Sequence, residues 1–199
     1  MVRIDVVEAS HRYVGAVVAP GDLAVDATAG NGGDTLFLCR AVGAAGRVLA
    51  IDIQESAVEA TRRLLADQGM LDRCTVVRGS HIDLIEILDR QSKGTLPAAV
   101  MFNLGYLPGG DKTVTTDPDS TVLALGRSAE VLRPGGIVSI VVYRGHPGAV
   151  DEAEAVEEWL DGLDPNQFSV FRLGRDGVPP HRPYIAFVKS SSEDSHHPF

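Results

Sequence analysis

Three stretches of the chain carry residue types that could hold a ligand and act on it. The first is Leu23-Ala-Val-Asp26-Ala27-Thr-Ala-Gly30-Asn31-Gly32-Gly-Asp34-Thr35-Leu36, an apolar run that breaks into glycines and resumes in a helical pattern. Glycines at 30 and 32 let the backbone approach a ligand where a Cβ would collide. The second is Leu49-Ala-Ile-Asp52-Ile53-Gln54, whose carboxylate stands 22 residues after Gly30. That is the spacing at which an acid at a strand end accepts two hydrogen bonds from a ribose diol. Each part alone has a plainer reading, since glycine turns can be purely structural and an Asp at a strand end often caps the next helix. Together they point to an adenosine-containing ligand. A dinucleotide fingerprint needs a third glycine at position 35, where Thr35 stands, and this argues against NAD. Gly79-Ser80-His81 follows a third apolar run, where Ser80 or His81 would meet the base or, equally for Ser80, cap the next helix.

The third stretch is Val100-Met-Phe-Asn103-Leu104-Gly-Tyr106-Leu-Pro-Gly-Gly-Asp111-Lys112. In amino-group methyltransferases a loop at this place reads Asn/Asp-Pro-Pro-aromatic, and Asn103-Leu-Gly-Tyr106 keeps the two ends of that pattern without its prolines. Such chemistry asks for in-line positioning of an unprotonated nitrogen more than for a strong base. Asn103 and the Leu104 carbonyl would orient the amine, and Tyr106 would stack on the substrate. The plainer readings are a buried ring for Tyr106 and a solvated pair for Asp111-Lys112.

The elements that must position these residues follow from alternation along the chain. Strands are expected at Leu23–Ala27, Arg47–Ile53, Cys74–Arg78, Ala98–Asn103, Gly136–Tyr143, Phe168–Leu173 and Tyr184–Val188. Helices are expected at Val6–Val18, Gly33–Val42, Ser56–Gln68, Ile82–Gln91, Pro118–Leu132 and Ala149–Leu163. The last two strands follow each other with no helix between them. The pattern implies an α/β fold, a mostly parallel sheet with one reversed strand and helices on both faces. Residues 1–189 are read as one domain and 190–199 as a disordered polar tail.

Composition narrows the function classes. The 199 residues are 44% hydrophobic and 23% charged, as in an ordinary globular domain. No apolar stretch approaches the roughly 20 residues that span a bilayer, and no signal-peptide core is present, so a cytoplasmic, non-membrane protein is expected. Cys39 and Cys74 match no metal or disulfide spacing, and no metal is expected. The net charge of −9 argues against nucleic acid. However, six of the acids fall in residues 151–161 and two in the last ten, and the remainder of the chain is nearly neutral. An RNA substrate is permitted by charge without being indicated by it.

Taken together, Asp26–Thr35, Asp52–Ala57, Gly79–His81, Phe102–Lys112, Thr115-Thr116 and Val142-Tyr143-Arg144-Gly-His146-Pro147 resemble the class I methyltransferases labelled rRNA methylases. The role of that family is N-methylation of 5-aminomethyl-2-thiouridine at the tRNA wobble position. The resemblance covers about residues 10–188. It implies a Rossmann-like, seven-stranded sheet ordered 3-2-1-4-5-7-6 with strand seven antiparallel, and S-adenosylmethionine as cofactor. It also implies that Asp26, Ala27, Gly30, Asn31, Gly32, Asp34, Thr35, Asp52, Ile53, Gln54, Ser80, His81, Asn103 and Leu104 border that cofactor. Tyr106, Lys112 and Tyr143 fall on the substrate side, with Asn103, Tyr106, Asp111 and His146 as candidates for the chemistry. Gly33 departs from the pattern, since relatives often carry a polar residue or His there.

Three readings remain open on the residues alone. One is the wobble-uridine enzyme, whose catalytic face would itself bind the tRNA anticodon stem-loop, with Arg12, Arg144, Arg172, Arg175 and Lys112 as candidate contacts. The second is a methyltransferase acting on ribosomal RNA or a small amine. The third is a non-enzymatic sensor of the cofactor. Oligomeric state stays open, homodimer included, as does whether the acidic helix at Ala149–Leu163 faces solvent or a partner.

Overall fold

The structure, a computed structural model, describes residues 5–92, 94–105, 109, 115–145, 148–174 and 182–192. In chain order it runs α1 (Val6–Gly15), β1 (Leu23–Asp26), α2 (Gly33–Ala41), β2 (Arg47–Asp52), α3 (Glu55–Asp67), β3 (Cys74–Arg78), α4 (Leu84–Ser92), β4 (Ala99–Leu104), α5 (Pro118–Glu130), β5 (Ile137–Val142), α6 (Ala149–Asp161), β6 (Phe168–Leu173) and β7 (Tyr184–Ser190). One sheet holds all seven strands in the order β3-β2-β1-β4-β5-β7-β6. β1 to β5 pair in parallel, and β7 runs antiparallel between β5 and β6.

The central strands read as unbroken apolar runs because both of their faces are covered. Leu49, Ile51, Val100, Phe102, Val138 and Ile140 face α4, α5 and α6, while Val48, Ala50, Ala99, Met101 and Val141 face α1, α2 and α3. One polar pair interrupts the second face. Ser10 of α1 and Ser139 of β5 are both buried and share a 2.7 Å hydrogen bond, so each satisfies the other. That bond seats α1 on the sheet.

Helix ends follow local chemistry. α1 starts where the Asp5 carboxylate accepts from Val7 and Glu8 N–H, and α5 where Asp117 caps Ser120 with Pro118 in the first turn. α1 stops at Gly15, three residues earlier than its apolar pattern suggests, since Val17 and Val18 both fold back onto the Val14 carbonyl. The helix expected from Ile82 begins instead as a 3-10 turn over His81–Asp83, because Ser80 Oγ caps Ile82 N–H, and becomes α-helical at Leu84.

At the carboxyl end, β7 runs on through Ser190, whose hydroxyl donates to the Arg133 carbonyl at 2.8 Å. The polar segment therefore departs from the sheet later than expected. Residues 193–199 lie outside the described residues.

Two further features join positions far apart in sequence. Cys39 and Cys74, 35 residues apart, are both free thiols packed into the core on the side of the sheet covered by α1, α2 and α3. The acidic α6 presents some of its carboxylates inward: Glu152 is 1% exposed and accepts from Thr116 Oγ1 at 2.8 Å and Thr121 Oγ1 at 2.6 Å. Glu157 takes Arg172 Nε at 2.9 Å. No described helix is long and apolar enough to cross a membrane.

Candidate active site

In a doubly wound sheet the ligand crevice opens at the carboxyl ends of the strands, where the strand order reverses. Here that point lies between β1 and its two neighbours, β2 and β4. A cleft of about 730 Å³ opens there, walled by the segments that follow β1, β2, β3, β4 and β5.

The glycine turn after β1 is held from below and from the side. Gly30 (φ 53°) donates its N–H to Asp52 Oδ2 at 2.8 Å, and its carbonyl accepts from Thr61 Oγ1 at 3.1 Å. Gly32 (φ 84°) opens α2, and a Cβ there would sit 3.0 Å from the Thr61 Cα, so the turn closes onto α3 only because the position is glycine. Asp52 Oδ1 accepts from Gln54 N–H at 2.9 Å. Each Asp52 oxygen is thereby fixed by one backbone donor and keeps a second lone pair. Such a carboxylate can receive two hydroxyls, as a ribose diol requires.

Beneath the turn, Asp26 is fully buried, accepting from Thr35 Oγ1 at 2.5 Å and from Thr28 N–H at 3.3 Å. Burial, reinforced by the nearby Asp34 charge, pushes its pKa up to about 7. Asp26 therefore braces the turn from behind.

After β3, His81 lines the cleft with its ring edge-on to Phe102, centroids 6.1 Å apart. Burial pushes the His81 pKa down, and its buried Nε2 meets no partner among the described residues. A polar atom left over in a cleft wall is a place where a ligand completes the bonding.

The acceptor side is built on Asn103. Its backbone N–H donates to Thr28 Oγ1 at 2.7 Å, tying the end of β4 to the turn after β1. Its side-chain Nδ2 donates to Asp34 Oδ2 at 2.6 Å, and Asp34 Oδ1 meets His11 Nε2 at 2.6 Å. His11 lies flat on Phe37, with centroids 4.0 Å apart and planes 4° apart. Tyr143 is 36% exposed in the same cleft; burial together with the Asp34 and Asp5 charges raises its phenol pKa. The Leu104 carbonyl accepts from Tyr143 N–H at 3.3 Å, which leaves it one lone pair. The next residue, Gly105, donates its N–H to Thr116 Oγ1 at 2.9 Å, and Thr116 in turn donates to the buried Glu152.

Of the residues expected from sequence, the cleft gathers Ala27, Gly30, Asn31, Asp34, Asp52, Ile53, Gln54, His81, Asn103, Leu104 and Tyr143. Asp26, Gly32, Thr35 and Ser80 do not line it. The first three brace the glycine turn from behind, and Ser80 is the cap of the turn after β3. Tyr106, Asp111, Lys112 and His146 lie outside the described residues, as does Arg175. Arg172 pairs with Glu157 and Asp161 at the edge of the sheet. Arg144 does line the cleft, with Nε donating to the Arg182 carbonyl at 2.9 Å.

Sequence reading missed His11, Thr28 and Glu152. His11 and Asp34 are separated by 23 positions and Glu152 and Thr116 by 36, so no local motif joins them. The one available hint was a histidine and a serine set into the otherwise amphipathic first helix.

The family model described as "Putative rRNA methylase" matches residues 48–189. The chain belongs to that family. A curated relative from Arabidopsis thaliana, the chloroplastic tRNA (mnm(5)s(2)U34)-methyltransferase, is 41% identical over 165 residues, covering 78% of this chain and 59% of the relative. The chain thus spans less than two thirds of that relative's length. Among solved structures, an rRNA methylase from Clostridium thermocellum is 37% identical with a TM-score of 0.89, covering 96% of this chain and all of that one. A methyltransferase from Streptococcus mutans, solved in complex with SAH, is 29% identical with a TM-score of 0.81, covering 96% and 99%. The rRNA methylase family membership and the strand order agree: the fold is the class I methyltransferase fold, with the order and the reversed seventh strand expected from sequence.

Proposed function

We propose that this chain is an S-adenosylmethionine-dependent N-methyltransferase that converts 5-aminomethyl-2-thiouridine at the tRNA wobble position to 5-methylaminomethyl-2-thiouridine. The observation that carries the reading is the shared cleft. Asp52, a carboxylate suited to a ribose diol, and Asn103, an amide suited to an amine, border one cavity. The choice of acceptor rests on the 41% identity to the Arabidopsis enzyme.

The residues present fit the cofactor. Asp52 would take the ribose hydroxyls, the backbone of Gly30 to Gly33 would admit the methionine end, and His81 Nε2 would meet the adenine. Bound there, S-adenosylmethionine supplies a methyl group already activated by its sulfonium. What remains for the chain is to present a neutral nitrogen in line. Asn103 Oδ1 and the remaining Leu104 lone pair would accept the amine N–H groups, which aims the nitrogen lone pair. Tyr106 would stack on the base. A wobble base is single-stranded and can be splayed out without opening a duplex. The partner is accordingly the anticodon stem-loop, with Arg144 beside the cleft as a contact for its backbone.

The test is methyl transfer from labelled S-adenosylmethionine to tRNA carrying 5-aminomethyl-2-thiouridine, read by nucleoside mass spectrometry. Label in 5-methylaminomethyl-2-thiouridine supports the reading. SAH binding without label in that nucleoside moves the acceptor to another amine or to ribosomal RNA.

A further inference from the structure

Asn103 can serve an amine only if its amide is turned the right way round. A carboxamide presents a donor on one side and an acceptor on the other, and a flip exchanges them at little steric cost. The neighbour that decides the matter is Asp34. A carboxylate only accepts, so the group that Asn103 turns toward Asp34 Oδ2, 2.6 Å away, is its NH2. Oδ1 is then the face left for the cleft, which both residues line.

Asp34 is itself held. Its side chain is 11% exposed, and its other oxygen, Oδ1, meets His11 Nε2 at 2.6 Å. The imidazole is fixed in turn by the face-to-face stack on Phe37, and its helix by the Asp5 cap and the buried Ser10–Ser139 bond. The chain of contacts runs from a surface helix, through one carboxylate, to the amide at the end of β4. His11 does not line the cleft, and nothing in the proposed chemistry asks it to touch substrate.

We propose that His11 is a positioning residue: through Asp34 it fixes the orientation of the Asn103 amide, so that Oδ1 is presented to the acceptor nitrogen. With His11 removed, Asp34 has lost one of the two side-chain donors it meets among the described residues, and the Asn103 amide loses its fixed partner. A misdirected amide places an N–H against the incoming amine N–H and misaligns the attack. The cofactor site on Asp52 and the turn after β1 is left as it was. This inference rests on the N-methyltransferase reading for its kinetic consequence, but not for the bonding itself.

The experiment therefore has two arms, both on the full chain. In the first, the Asn103 side-chain NH2 is followed by 15N–1H NMR in protein saturated with SAH, its signals assigned by their loss in Asn103→Asp. One of the two protons is expected far from its usual position and slow to exchange with water. His11→Ala and Asp34→Asn should return it toward the values of a solvated amide, while His11→Gln, whose amide nitrogen matches the reach of Nε2, should keep it. In the second arm, steady-state kinetics on the modified tRNA should show His11→Ala lowering kcat by about 10- to 100-fold. KM for both substrates should stay within about threefold, with His11→Gln recovering most of the loss.

Amide signals that ignore His11→Ala overturn the inference, whatever the activity does. So does a His11→Ala loss that lies wholly in KM or in thermal stability, or one that His11→Gln does not repair. If the amide signals respond as expected while wild type makes no product from this tRNA, the acceptor assignment fails and the positioning role of His11 stands.

Discussion

Thr116, in the segment before α5, and Glu152 of α6, 36 residues apart, meet through a 2.8 Å hydrogen bond that anchors the segment leaving β4. Thr116 Oγ1 also accepts from Gly105 N–H, and Thr116 N–H donates to the Gly105 carbonyl at 3.1 Å, so the backbone just past Leu104 is clamped on both sides. The clamp ends on a carboxylate inside α6. Truncating that carboxylate strands the buried Thr121 hydroxyl and the half-buried Thr116 hydroxyl and opens a cavity. Glu152→Ala should cost about 2–4 kcal/mol, and Glu152→Gln, which keeps one acceptor, roughly half of that. Urea unfolding measures both, and equal stability of Glu152→Ala and wild type would mean the clamp carries no weight.

The two sides of the cleft should separate by mutation. Asp52→Ala removes a charged acceptor from Gly30 and Gln54 N–H and from the proposed ribose, and SAH affinity should fall by roughly 100-fold or more. Asn103→Ala should leave SAH affinity within about threefold and reduce turnover by at least about 100-fold. Calorimetric titration with SAH distinguishes them. Equal affinity in wild type and Asp52→Ala would sink the cofactor site as described.

Two adjacent glycines should respond in opposite ways. Gly32 needs φ 84° and has the Thr61 backbone 3.0 Å from where a Cβ would go, so Gly32→Ala should destabilise by about 1–3 kcal/mol. Gly33 has open space at its Cβ position and sits in the first turn of α2, so Gly33→Ala should leave stability unchanged or raise it by up to about 1 kcal/mol. Thermal melts of the two variants side by side check the contrast.

Asp26 should make stability depend on pH. Its carboxyl holds a proton up to about 7 in the folded chain, against 3.8 ordinarily, with burial the main cause and the Asp34 charge next. Between those values the folded state binds more protons than the unfolded one. Stability from this group is therefore full below about pH 4, falls as pH rises to about 7, and changes no further above that. Asp26→Asn keeps an acceptor for Thr35 Oγ1 and removes the titration. Relative to wild type, the variant should gain stability as pH rises from about pH 4 to about pH 7 in urea unfolding, with a constant difference above that, and parallel profiles would assign the pH response to another group.

The sheet was legible because each central strand is a run of apolar residues bounded by turn residues, and seven such runs with a helix-free final pair admit few topologies. The ligand turn was legible for the same local reason: Gly30, Gly32 and Asp52 act through backbone geometry that a short motif encodes. What was not legible is what joins distant positions. His11 reads as an interruption of an amphipathic helix until α1 is laid against α2, and Glu152 reads as one more solvated acid until α6 is laid against α5. Cys39 and Cys74 match no pairing motif, yet both pack into the same core cluster on one side of the sheet. Helix starts shifted where a side-chain cap outcompeted the apolar period, as Ser80 does before α4.

The pairing of Arg172 with two acids has a consequence at the rim of the sheet. Arg172 lies on β6, one outer strand, with Nε on Glu157 and Nη2 on Asp161 at 2.5 Å. At the opposite rim β3 ends in Arg78, whose Nη1 lies 3.3 Å from Glu55. An outer strand offers unpaired N–H and C=O groups to any other chain, and a charged side chain fixed beside them makes that addition costly. Both rims of this sheet carry such a cation. Ion pairs that look like surface decoration thus stand where another chain would have to add to the sheet.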